Sequence, residues 1–114
     1  MNMKYETFGD FIKDMRINRL HLSVRKFAEE LPISFTYLSD VENKRVPAFK
    51  PEILRLLAEK FELTEEEQEE FYELAAATQN VIPLDITDKA VNNPQLIAAF
   101  RRVIKEQENK KEGD

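Results

Sequence analysis

Between Ser23 and Arg45 the chain carries two short helical patterns separated by a proline, and that pairing limits the folds available to it. Phe27, Ala28 and Leu31 recur at helical spacing on the first segment, and Leu38 and Val41 on the second, with Ile33 between them. Ser23 and Ser34 stand where each helix needs a side-chain oxygen for its free N–H groups. Pro32 closes the first segment, because the residue before a proline is pushed out of helical geometry. The apolar residues form one interior. One helix is braced while the other is presented outward.

The rest of the chain reads as helix as well. Thr7 caps a first helix with Asp10 three residues on, and Phe8, Phe11, Ile12 and Met15 give its apolar stripe, to about Asn18. The braced pair runs from Ser23 to about Asn43. Pro51 suits the first position of a fourth helix carrying Ile53, Leu54, Leu57, Ala58 and Phe61. Thr64 and Glu67 form a capping box for a fifth helix through about Ala77, with Glu65, Glu66 and Glu67 at its favourable positive end. Residues 78–86 read as a linker with Pro83, and 87–92 as one turn or a short helix. Pro94 opens a last helix, and the polar residues from Gln107 read as a frayed tail. No segment alternates as a strand does. The expectation is an all-α fold: a five-helix domain over 5–77, a helical extension over 78–106 and a flexible polar tail over 107–114.

At 114 residues this is one domain with one modest core. There is no cysteine, which excludes disulfides and thiolate metal sites and suits a cytoplasmic location. The one histidine, His21, lies in a polar turn, so neither a metal site nor a cofactor is expected. Gly9 and Gly113 are the only glycines, which leaves no glycine-rich phosphate loop, and no Ser/His/Asp set suggests itself. The chain is not expected to be an enzyme or to enter a membrane. Its net charge of −5 is unevenly spread. Residues 1–50 hold nine Lys/Arg against seven Asp/Glu, a net of +2, and the remainder holds eight against fifteen, a net of −7. A mildly basic front on an acidic body is a usable face for DNA.

A braced pair of helices with one presented outward is the way a helix-turn-helix enters the major groove. Residues 8–77 resemble the DNA-binding domain of the Cro and lambda-repressor type, the Xre family. The resemblance rests on the opening Phe8-Gly9-Asp10-Phe11-Ile12-Lys13-Asp14-Met15-Arg16. It continues through Ser23, Phe27-Ala28, the run Ile33 to Glu42, the loop Asn43-Lys44-Arg45-Val46-Pro47, and Leu54, Leu57 and Ala58. It implies a five-helix, lambda-repressor-like domain that binds double-stranded operator DNA, usually as a homodimer, and a transcriptional regulator acting more as repressor than activator. The third helix would read bases through Phe35, Thr36, Tyr37, Ser39 and Asp40. Arg25, Lys26, Ser34, Asn43, Lys44 and Arg45 would meet phosphate. Each has a plainer alternative: burial against neighbours or simple exposure for Phe35 and Tyr37, and simple solvation for Arg25 and Lys26. Glu42 resembles an acidic residue of the family that braces the fold more than it meets DNA, with Arg16 as its ion-pair partner. Val24 stands where many members carry Gln, and Pro32 and Lys44 stand where Gly is common. Proline prefers φ near −65°, so the turn at Pro32 is expected to be built differently from a glycine turn.

In the extension, Leu96, Ile97, Phe100, Val103 and Ile104 make one apolar stripe. It either packs back on the domain's own core or pairs two copies and so sets the spacing of two reading helices. The string Val81 to Ile86 followed by Asn93-Pro94 resembles a tail of a subgroup of these regulators, some of which accompany a toxin-like or metalloprotease partner. An antitoxin-like or protease-partnered interaction protein that regulates its own operon is therefore the second function to weigh.

Overall fold

The computed structural model describes residues 3–77, 79 and 82–112, and every regular element among them is helical. In chain order these are α1 (Phe8–Asp14), a π-helical turn (Met15–Arg19), α2 (Val24–Glu30), α3 (Phe35–Glu42), α4 (Pro51–Lys60), α5 (Glu65–Ala77), α6 (Leu84–Val91) and α7 (Pro94–Glu112). The chain divides into two compact units, one ending at Leu84 and one beginning at Asp85.

The first unit has a single core, and the residues expected to be apolar in α1–α5 build it. Phe8, Ile12, Phe27, Leu31, Leu38, Val41, Leu57 and Phe71 are its largest fully buried side chains. Aromatic rings link the helices: Phe8 and Phe11 lie 5.3 and 5.6 Å from Phe71, and Phe27 lies 5.5 Å from Phe61. Phe49, in the loop before α4, stands edge-on to Phe8 at 5.5 Å. Such pairs add to the burial of large apolar area.

The helix starts follow the expected caps. Thr7, Ser23 and Ser34 accept from the backbone N–H three residues on, at 3.1, 3.1 and 3.0 Å. Thr64 and Glu67 exchange both bonds of the capping box, at 3.1 and 2.9 Å. The helix ends are less ordinary. His21, Pro32, Lys44 and Glu62 have φ of 54°, 22°, 65° and 49°. Each stands just past a helix, in the conformation that glycine fills most easily. After α3 and α4 the closing bonds are complete: Arg45 N–H to Asp40 at 2.8 Å with Lys44 N–H to Val41 at 3.1 Å, and Leu63 N–H to Ala58 at 3.2 Å with Glu62 N–H to Glu59 at 3.3 Å. After α2, Ile33 N–H reaches the Ala28 carbonyl at 3.0 Å, and Pro32 has no N–H to supply the second bond. This corrects the φ expected of Pro32 and not the expectation for the turn. Pro32 takes a positive φ as a glycine would, but the turn keeps only one of the two closing bonds and so is still built differently from a glycine turn.

Two close approaches fix α3 within this unit. A Cβ on Gly9 would lie 2.5 Å from the Val41 carbonyl oxygen, so α1 crosses the end of α3 at a distance only glycine permits. Arg16, in the π-helical turn, meets Glu42 through two parallel bonds, Nε to Oε2 at 2.7 Å and Nη2 to Oε1 at 2.9 Å. Its Nη1 donates to the Leu22 carbonyl at 3.0 Å. Both side chains are buried, as the pairing expected from sequence requires.

The second unit holds most of α6 and all of α7. Helix α6 begins at Leu84, inside the stretch read as linker, because Pro83 precedes a helix start rather than breaking a loop. Helix α7 continues to Glu112, through residues expected to fray. The expectations for residues 113 and 114, and for 78, 80 and 81 within the linker, lie outside the described residues. No described helix is long and apolar enough to cross a membrane.

Candidate nucleic-acid interface

Helix α3 has a buried side and an open side. Leu38, Val41 and Glu42 turn inward, and Leu38 and Val41 have no exposure at all. Phe35 and Thr36 open the helix and are exposed, Phe35 by 48%. Ser39 and Asp40, one turn on, are half-buried on the same side. The structure therefore brings Phe35, Thr36, Ser39 and Asp40 onto one face.

Tyr37 sits apart from them. Its ring packs 5.6 Å from Phe49, and its hydroxyl accepts the Lys50 N–H at 3.0 Å. It fastens the loop after α3 to α3 itself. The half-buried ring belongs to the plainer of the two alternatives that sequence left open for it.

The expected phosphate-binding residues form a rim. Ser34 is exposed, and its oxygen caps α3. Asn43 donates to the Ser39 carbonyl at 2.9 Å and lies 3.3 Å from the Ser39 hydroxyl, which closes the end of α3. Lys44 and Arg45 are exposed, and each is paired with a carboxylate of the same unit. Lys44 Nζ is 3.2 Å from Asp10, and Arg45 Nη1 is 3.4 Å from Asp40. A hydrogen bond with Thr7, assisted by Lys44, holds the Asp10 carboxyl below the ordinary carboxylate range. Lys26 lies 3.8 Å from both Glu29 and Glu30. Glu30 is engaged more closely by Lys60, at 2.9 Å, and that ion pair chiefly lowers its pKa. Exposed pairs of this kind contribute about 0–1 kcal/mol, so a phosphate can replace the carboxylate at small expense.

Arg25 differs from these three. Its guanidinium carbon stands 5.3 Å from the centre of the Phe35 ring. Val24, where Gln is common in the resembling family, is half-buried against the core.

Sequence reasoning did not find Asp10 beside Lys44 or the brace made by Tyr37. The first pair is 34 positions apart and no local spacing signals it.

Among the described residues no cluster of His, Asp or Glu could hold a metal ion. The apolar stripe of α7 has Ile97 and Phe100 each 37% exposed, Val103 52% and Ile104 56%, with Leu96 half-buried.

A family model described as helix-turn-helix matches residues 12–68, half of the chain. It spans the end of α1, the π-helical turn, α2, α3, α4 and the start of α5. Among curated proteins and among solved structures, nothing matches the chain.

Proposed function

We propose that this chain, which belongs to the Xre family of helix-turn-helix DNA-binding transcriptional regulators, is a repressor that binds an inverted-repeat operator as a homodimer. The observation that carries the reading is the two-sided α3. Its inner side is locked by Leu38, Val41 and the Arg16–Glu42 pair, and its outer side presents Phe35, Thr36 and Ser39 at the end that would enter the groove. A rigid scaffold under an exposed polar and aromatic face suits readout of base edges.

In this reading Thr36 and Ser39 meet base edges, and Asp40 accepts from a cytosine amino group or discriminates against other bases. Lys26, Lys44 and Arg45 exchange their carboxylate partners for phosphate, and Ser34 and Asn43 support the backbone contact. Tyr37 holds the loop that carries Lys44 and Arg45. Two copies joined through Leu96, Ile97, Phe100, Val103 and Ile104 would set two reading helices about one DNA turn apart, about 34 Å. Repression follows from occupation of the promoter.

Selection of bound sequences from a random duplex pool tests the reading. Enrichment of an inverted repeat is the expected result. Thr36→Ala should change the preferred bases. Lys44→Ala with Arg45→Ala should weaken all duplexes alike and flatten the salt dependence by about one counterion per charge removed. No enrichment at low salt would refute it.

A further inference from the structure

Resting on the DNA-binding reading above, we infer that Arg25 and Phe35 act as one reading unit, and that each operator half-site holds a guanine beside a thymine at the position they reach. The inference moves Arg25 from the phosphate backbone to the base edge.

The warrant is a contrast among the cations of this face. Lys26, Lys44 and Arg45 each have a carboxylate partner, and Arg45 gives it an N–H donor. Arg25 instead holds its guanidinium carbon over the Phe35 ring, 5.3 Å from the ring centre. A carboxylate occupies the edge of a guanidinium, where its donors lie. An aromatic ring attracts the cation without taking up its N–H donors as a carboxylate acceptor does. That contact also removes much of the freedom of a long side chain, which would otherwise be lost on binding.

A guanidinium fork whose donors no carboxylate takes up matches the O6 and N7 acceptors of guanine in the major groove. Phe35 supplies both the platform and its position. It is the first residue of α3, the end of a reading helix that meets base edges, and nearly half its surface is open. The open part of the ring fits the methyl group of an adjacent thymine. Ring, fork and methyl together recognise a two-base step.

The test uses the full chain and the same random duplex pool. Wild type should enrich a site with an invariant guanine next to thymine in each half. Arg25→Lys keeps the charge and loses the fork. It should lower discrimination at that guanine by about tenfold while affinity for unrelated duplex stays within about twofold. Phe35→Leu keeps an apolar contact and loses the platform, so it should reduce the guanine preference and spare the thymine preference. Uracil in place of that thymine removes only the methyl and should weaken wild type severalfold. An enriched site without this step, or a guanine preference that survives Arg25→Lys, overturns the inference and leaves the DNA-binding reading standing. Absence of any enriched site overturns both.

Discussion

The α2–α3 pair and helix α7 both carry regular apolar stripes, and the two stripes meet different fates. In the pair, Phe27, Leu31, Leu38 and Val41 have no exposed surface. In α7, Val103 and Ile104 are each more than half exposed, and Ile97 and Phe100 are open by more than a third. The same periodicity therefore serves two purposes. Within the first unit it completes a core that fixes α3. In the second it leaves α7 with an exposed apolar face, the one that the proposed dimer would cover. The face that would read DNA is braced within the first unit, whereas the face that would join two copies in the proposed dimer is exposed.

The largest way to break this contrast is to strike the lock on α3. Arg16→Met leaves the Glu42 carboxylate buried without its partner. Denaturant unfolding should show a loss of about 3–5 kcal/mol. Next is the exposed face. Replacing Ile97, Phe100 and Ile104 together by Ser should leave the melting of the first unit unchanged. Sedimentation should report a monomer where wild type is a dimer, and the selected operator should bind about a hundredfold more weakly, the gain from linked half-sites being lost. Should wild type itself sediment as a monomer while binding the operator tightly, the dimer proposal would fall.

Smaller effects sharpen the picture of the first unit. Glu62→Gly removes a side chain from a left-handed position after α4. It should stabilise the protein by about 1 kcal/mol in the same denaturant assay. The smallest effect is a pH dependence at the start of the unit. The Tyr5 hydroxyl is hydrogen-bonded to Asp14, which pushes the Tyr5 pKa up to about 12 from 10.0 and lowers that of Asp14. A raised tyrosine pKa means stability fully present below pH 10.0 and lost as pH climbs through about 12. A lowered carboxyl pKa means stability present above the usual value of 3.8 and lost on acidification. Tyr5→Phe should narrow both slopes in a pH series of melting curves, and only slightly, since the pair is half-exposed and solvent screens it.

Much of this was legible in the chain. Caps are local chemistry, so Thr7, Ser23, Ser34 and the Thr64–Glu67 box announce helix starts within four residues. The core stripes of α1–α5 obey one period and were readable for the same reason. Arg16 and Glu42 could be paired only through the family resemblance, which marks Glu42 as an acidic residue that braces the fold. Helix ends were harder. With glycine nearly absent, the usual stop signal is missing, and His21, Pro32, Lys44 and Glu62 take left-handed positions that their side chains do not advertise. The reading face was legible as a face and not as a set of contacts. Tyr37 on Phe49, Asp10 on Lys44 and Arg25 on Phe35 are meetings made by folding between segments ten or more positions apart.

The left-handed Lys44 has one more implication, for anyone who would harden this protein by design. Glycine at that position would relax the backbone, and a search guided by heat resistance alone would choose it. The same change would delete a cation that the proposed DNA contact needs. Durability and occupation of an operator therefore pull one codon in opposite directions. A lysine that persists there under selection for binding would record which of the two had prevailed.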